Sequence, residues 1–310
     1  MAKNRAWLII LFAVAVYLIM GIYADFDNLL FDIKQFNWMF FVIMIILTTM
    51  AYFIRFIKWN FFLKSIGVNL NLKDNLFVFF SGLGMIITPA KVGEIWKGWL
   101  IRDINGESLS KTVPVVIIDR VTDLIGLIIL SALGILYYKE GSYILLILIV
   151  MFIGFFAAIK SKKISSKIIS ILENRAGKYS KDVKSMHMTF EELMSPKNMT
   201  LMSFLSAFAW FFECLALFFV IIGFGESISV LISTFVFSFA SLAGAVSMIP
   251  GGLGVAEATF SGLLQYFGLT ATVSVGVAII IRFGTLWYGA ILGFSIYLIF
   301  RKKIIKEIKE

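Results

Sequence analysis

Two clusters of residues hold the chemistry available to this chain. The first is Lys91, Gly93, Glu94 and Lys97, followed by Asp119, Arg120 and Asp123; the second is Pro250, Gly251, Gly252, Gly254 and Glu257, followed by Arg282. Cations beside Pro and Gly point to phosphate recognition. Pro suits the first turn of a helix, glycines let a ligand reach bare N–H groups, and a helix N-terminus attracts phosphate through those groups and its dipole. With Lys91, Lys97, Arg120 and Arg282 added, a phosphate is the predicted ligand group. Glu94 and Glu257 then pair with those cations, receive an amino head group or carry a proton; the residue types leave all three roles open. The glycines do not match the GxxxxGK[ST] nucleotide loop.

Asp119, Arg120 and Asp123 fall within about one helical turn, at spacings that put them on one face. They read either as a local ion pair anchoring a helix end or as an Arg120 that faces a site while the carboxylates orient it. Arg282 lies deeper in its apolar run and needs an acid, with Glu257, Glu94 and Glu213 available. An Arg282–Glu257 pair serves structure as readily as function.

Composition narrows the classes. The 310 residues are 60% hydrophobic and 15% charged, against about half and about a quarter for soluble domains. A polytopic membrane protein follows. The net charge of +9 reads as membrane topology rather than nucleic-acid affinity. A single Cys214 and a single His187 leave no disulfide framework, no metal cluster and no Ser-His-Asp chemistry, so no metal or cofactor is expected.

The elements that position the clusters are apolar runs. Spans are predicted over Ala6–Tyr23, Trp38–Ile54, Val113–Tyr137, Tyr143–Ile159, Leu201–Ile222 and Thr270–Phe300. Asp25 to Gln35 reads as an external loop, and Arg55, Lys58 and Lys64 as the basic inner end of the second span. The connector of about 160–198 is rich in Lys and is predicted cytoplasmic, as are both termini, in a cell-membrane protein. Leu76–Thr88 is too short to span a core needing about 20 helical residues. With its Pro89 break it reads as a re-entrant segment, or as a core or interfacial helix. Ile228–Ile249 and Ala258–Phe267, either side of Pro250–Gly254, read as a second re-entrant segment, entering from the opposite face. Broken backbone at membrane depth must be packed in protein or line a wet cavity.

The two breaks resemble one another. Phe77-Val78-Phe79, Pro89, Gly93, Glu94 and Arg120 recur in order as Phe235-Val236-Phe237, Pro250, Gly254, Glu257 and Arg282. The predicted fold is therefore an all-α polytopic membrane protein of about six spans and two re-entrant segments. It forms one domain over 1–310, an inverted repeat of halves 1–138 and 139–310, as in alternating-access carriers.

At Pro89-Ala90-Lys91-Val92-Gly93-Glu94 with Lys97, Asp119-Arg120-Val121-Thr122-Asp123, and Pro250-Gly251-Gly252-Leu253-Gly254 with Glu257, the chain resembles the flippase-like family named for the transmembrane region of lysylphosphatidylglycerol synthase. Asp119 stands where that family more often has Glu. The resemblance covers nearly the whole chain and implies the lipid-translocating part alone, without aminoacyl transfer, because the last span ends close to Glu310. It implies translocation of a phosphate-bearing lipid, a phospholipid or a polyprenyl-phosphate-linked lipid. An intramembrane transferase acting on lipid carriers, an accessory subunit of a lipid-modifying or glycosyl-transfer enzyme, and a carrier of soluble substrates are the alternatives.

Overall fold

A computed structural model describes residues 3–134 and 180–307, with Tyr143, Leu146, Ile149 and Val150 between them. The described residues are helical throughout, without strands: α1 (Lys3–Tyr23), α2 (Phe26–Gln35), α3 (Trp38–Ser65), α4 (Leu72–Leu83), α5 (Trp96–Asn105), α6 (Leu109–Gly134), α7 (Ser180–Leu193), α8 (Pro196–Gly223), α9 (Val230–Val246), α10 (Val255–Tyr266), α11 (Ala271–Arg282) and α12 (Tyr288–Glu307). Short 3₁₀ segments, Pro89–Ile95 and Pro250–Gly252, join α4 to α5 and α9 to α10, and a π turn at Phe283–Trp287 joins α11 to α12. Helix starts are set locally. Asn37, Asn71, Ser195, Ser229 and Thr270 precede α3, α4, α8, α9 and α11, and each side chain accepts a first-turn N–H.

Three of these helices are long and apolar enough to cross a membrane: Trp38–Ser65, Pro196–Gly223 and the rod Ala271–Arg301. A fourth candidate is the pair Ile10–Tyr23 and Phe26–Gln35, bent by 96°. The expected loop at Asp25 to Gln35 is thus a helix. Asp25 turns the chain with φ 63° and caps α2 through its carboxylate, and Leu29 is buried. The second predicted span also runs further than its apolar stretch, because α3 continues through Arg55 and Lys58, both buried, to Ser65. Those two cations are interior residues of that helix rather than part of a connector. Most of the predicted span Tyr143–Ile159 and most of the basic connector lie outside the described residues; α7 covers the end of that connector and packs on α6.

One register repeats along the chain. α2 ends at Gln35 and α7 at Leu193; α3 runs Trp38–Ser65 and α8 Pro196–Gly223; α4 begins at Leu72 and α9 at Val230. Each second member lies 158 residues after the first. Gly67 and Gly225, in the same register, take positive φ (70° and 81°) just past the C-termini of α3 and α8. Phe77, Val78 and Phe79 are buried, and so are Phe235, Val236 and Phe237. Beyond the breaks the spacing lengthens by four: Leu109 and Ala271 begin α6 and α11, and Arg120 and Arg282 occupy matching turns.

Packing follows the same exchange. α3 lies against α8, α4 against α12, α9 against α6, and the two 3₁₀ segments touch. The α4–α12 crossing is close enough that a Cβ on Gly293 would strike the α4 backbone at Gly84, Leu83 and Phe80. Gly293→Val should cost about 1–3 kcal/mol in overpacking and lower the unfolding midpoint by about 2–6 °C. Gly262→Ala, where nothing lies within 4 Å, should leave the midpoint unchanged or slightly raised. Differential scanning of the purified variants checks both.

Candidate functional site

Both breaks are tips of helical hairpins. On the second, Gly244 faces Ala256, Phe237 meets Phe260 at 5.6 Å, and Phe235 meets Phe267 at 6.3 Å, so α9 and α10 run back along one another. On the first, Lys97 of α5 lies over Phe79 of α4, 5.2 Å from its centroid, and under Gly82. With α9 of 17 residues and α4 of 12, the ascending arms are about 26 Å and 18 Å long.

The tip of the second hairpin is shaped by glycine. Gly251, Gly252 and Gly254 all take positive φ, and Gly252 rests on the backbone of Gly244. This corrects the expectation of bare N–H groups at a helix start beginning with Pro250. Pro250–Gly252 is a single 3₁₀ turn, and α10 begins only at Val255. The Gly252 N–H donates to Ile249 O (2.9 Å), and the Leu253 N–H to Pro250 O (3.2 Å). The Gly254 N–H donates to Glu257 Oε2 (2.7 Å). The glycines fold the tip, and the Gly252, Leu253 and Gly254 N–H groups are spent within it. Arg282 clamps the tip from α11, donating from Nε to Glu257 Oε1 at 2.8 Å and from Nη2 to the Gly251 carbonyl. Among the three roles left open for Glu257, the geometry gives pairing with Arg282 and capping of α10.

The first hairpin is held by a larger network. Arg120 reaches Glu94 Oε1 (3.3 Å), Asp119 Oδ2 (2.6 Å) and Asp123 Oδ2 (3.1 Å), while Lys97 lies 2.6 Å from Glu94 Oε2. The Gly93 N–H donates to Thr88 Oγ1 at 2.8 Å, closing the turn. Behind Arg120 lies Lys58, only 1% exposed. Its Nζ lies 2.9 Å from Asp119 Oδ1 and 2.5 Å from Asp123 Oδ1, and donates to Ser206 Oγ at 2.6 Å. Asp119 and Asp123 are thus buried and Arg120 is partly buried, and besides the local pairs within α6 their contacts reach Lys58 on α3 and Glu94 on the first break.

A third pair joins the two long helices. Arg55 Nη1 donates to Glu213 Oε1 at 2.7 Å, and its guanidinium stacks 4.1 Å from the centroid of the Trp210 ring. Arg55 and Glu213 occupy the same turn of α3 and α8, 158 residues apart. Neither Arg55, Lys58 nor Trp210 was assigned to the site from sequence. The available signal was the face they share: Thr48, Tyr52, Arg55, Trp59 and Phe62 recur at helical spacing, as do Ser206, Trp210 and Glu213.

These groups surround one cavity of about 290 Å³. Lys91, Glu94, Lys97, Arg120, Asp123, Gly251, Gly252 and Arg282 line it, and so do Arg55, Trp210 and Glu213. Gly93, Asp119, Pro250, Gly254 and Glu257 stand behind the wall, where they hold the lining residues. Ala245 and Met248, both exposed, stand at its rim. Six cations (Arg55, Lys58, Lys91, Lys97, Arg120, Arg282) are gathered with five carboxylates (Glu94, Asp119, Asp123, Glu213, Glu257). Lys91 is the member of this group with no carboxylate within 4 Å among the described residues; its φ is 55°, and its Nζ lies 5.4 Å from the Trp210 centroid. No group of His, Cys, Asp and Glu suited to a metal occurs among the described residues.

Comparison with known proteins gives a consistent result. The family model described as the lysylphosphatidylglycerol synthase TM region matches residues 10–293. Similar chains include a UPF0104 membrane protein of Methanocaldococcus jannaschii, 28% identical over 72% of this chain and 96% of its own. Others are UPF0104 membrane proteins of Methanothermobacter thermautotrophicus (24% identical; 91% and 90% covered) and Pyrococcus horikoshii (24%; 98% and 99%). No solved structure matches.

Removing one partner of a buried ion pair costs about 3–5 kcal/mol, because the other charge stays behind. Lys58→Met, which leaves Asp119 and Asp123 to Arg120 alone, should destabilise by that amount in reversible unfolding. Adding Asp123→Asn should recover part of the loss, and a single variant as stable as the parent would remove Lys58 from the network.

Proposed function

Because the chain belongs to the family of the lysylphosphatidylglycerol synthase transmembrane region, we propose that it is a lipid translocase that carries a phosphate-bearing head group between leaflets of the cell membrane. The observation that carries this reading is the cavity between the two hairpin tips, set in a cluster of six cations and five carboxylates and so with one more cation than carboxylate. Its volume lies near the lower end of small-ligand sites, about 300–1,000 Å³. That takes a head group and leaves acyl or prenyl chains outside in lipid.

The repeat supplies the movement. The two hairpins enter from opposite faces as re-entrant segments of an inverted repeat with both termini cytoplasmic, and the site lies where their tips meet, near the midplane. α3 and α8 are the pivot, joined by Arg55 and Glu213 at matching turns. Arg120 and Arg282 each hold a hairpin through a Glu of its own break, so each half keeps its tip rigid as the halves rock.

Liposomes containing the purified protein should equilibrate labelled phosphatidylglycerol or polyprenyl phosphate between leaflets. Arg282→Ala and Glu257→Gln should slow this at least about tenfold, or about 1.4 kcal/mol. Protein-free rates of exchange in wild-type vesicles for both lipids would overturn the reading, and undiminished rates in both variants would remove the Arg282–Glu257 pair from it.

A further inference from the structure

Arg55 and Trp210 carry hydrogen-bond donors that find no acceptor among the described residues. Arg55 is 8% exposed and Trp210 7%, and both line the cavity. Arg55 spends Nη1 on Glu213, while its Nε and Nη2 have no acceptor among the described residues, nor has Trp210 Nε1. Buried donors without acceptors are costly, the more so when charged. Three on two stacked side chains therefore form a place that an incoming oxygen completes.

Charge points the same way. Lys91 and Arg55 both approach the Trp210 ring, at 5.4 Å and 4.1 Å from its centroid, so the two cations are no further apart than the sum of those distances. Glu213 neutralises Arg55, and Lys91 has no carboxylate within 4 Å among the described residues. The indole face attracts both cations, but it supplies no compensating charge. One negative charge beside Trp210 balances Lys91; two would leave an excess, and a positive group would add to the repulsion.

We propose that Arg55, Lys91 and Trp210 form the head-group seat, and that it selects lipids with a single net negative charge, of the phosphodiester class, over zwitterionic and cationic ones. Arg55 and Trp210 donate to the phosphate oxygens, and Lys91 supplies the unbalanced charge. The twin pairs Arg120–Glu94 and Arg282–Glu257 shape the cavity walls; the seat lies between α3 and α8, on residues outside either break except Lys91. This inference rests on the translocation reading for its lipid ligand, and its test is a binding measurement that needs no transport.

Purified protein in a neutral detergent would be titrated with dioctanoyl-phosphatidylglycerol, dioctanoyl-phosphatidylethanolamine, lysyl-phosphatidylglycerol and inorganic phosphate, with binding read by native mass spectrometry and the shift in unfolding midpoint. The expected result is at least tenfold tighter binding of phosphatidylglycerol than of the zwitterionic or the lysylated lipid. Phosphate competing with phosphatidylglycerol places the ion itself in the seat. Trp210→Phe keeps the ring on which Arg55 stacks and removes only the Nε1 donor; it should weaken phosphatidylglycerol binding about fivefold. Lys91→Gln should erase the charge preference, and Lys91→Arg should restore it. Equal affinities for the three lipids in the wild type, or a full preference in Lys91→Gln, would overturn the proposal. Selective binding without lipid movement in vesicles supports the seat and removes the translocase; lipid movement with no charge preference in binding does the reverse.

Discussion

The fold depends on neutralising charge where water is scarce. Lys58, at 1% exposure, is bearable only because Asp119, Asp123 and Ser206 surround its ammonium. Those partners come from α6 and α8, so the ion contacts fix how α3, α6 and α8 sit on one another. Apolar packing alone is less selective in a membrane, since lipid tails are as apolar as leucine. The interior ion pairs define the arrangement, and close small-residue contacts such as Gly293 on Gly84 bring the helices near enough to form them.

A second consequence concerns the two hairpins. Each tip is bent by residues that take unusual backbone angles, Lys91 in one and Gly251, Gly252 and Gly254 in the other. A Glu–Arg pair secures each to a neighbouring long helix. The pairs differ in their surroundings. Arg282 has Glu257 and a carbonyl, whereas Arg120 is shared among Glu94, Asp119 and Asp123. The first half is thus more heavily charged, and the excess cation, Lys91, sits on it. Sequence-related halves with unequal charge give the cavity a polarity that equal halves would cancel.

Much of this was legible in the sequence. Hydropathy gave an all-helical membrane protein, and Pro, Gly, Glu and Arg recurring in the same order marked both breaks. Less legible was what interrupted an apolar run without a helix breaker. Arg55 and Lys58 follow the apolar stretch of Trp38–Ile54, so hydropathy assigns them to the membrane edge; helical periodicity carries them instead along the buried face of one 28-residue helix. Asp25 to Gln35 was misread for the converse reason. Its acids suggested a loop, yet Asp25 at an N-cap and Leu29 facing inward make a short helix. A carboxylate marks a helix start as readily as it marks solvent.

The glycines of the second break show why a motif fixes a location sooner than a role. Glycine near a helix start is compatible both with open N–H groups awaiting phosphate and with a backbone that must bend back on itself. Here Glu257 occupies the Gly254 N–H, and the Gly252 and Leu253 N–H groups close the 3₁₀ turn. The same carboxylate also receives Arg282, so one side chain caps α10 and ties it to α11. A helix N-terminus filled by its own acid repels a second anion. The cavity groups with incomplete partners lie elsewhere, in the donors of Arg55 and Trp210 and in Lys91 beside the Trp210 ring.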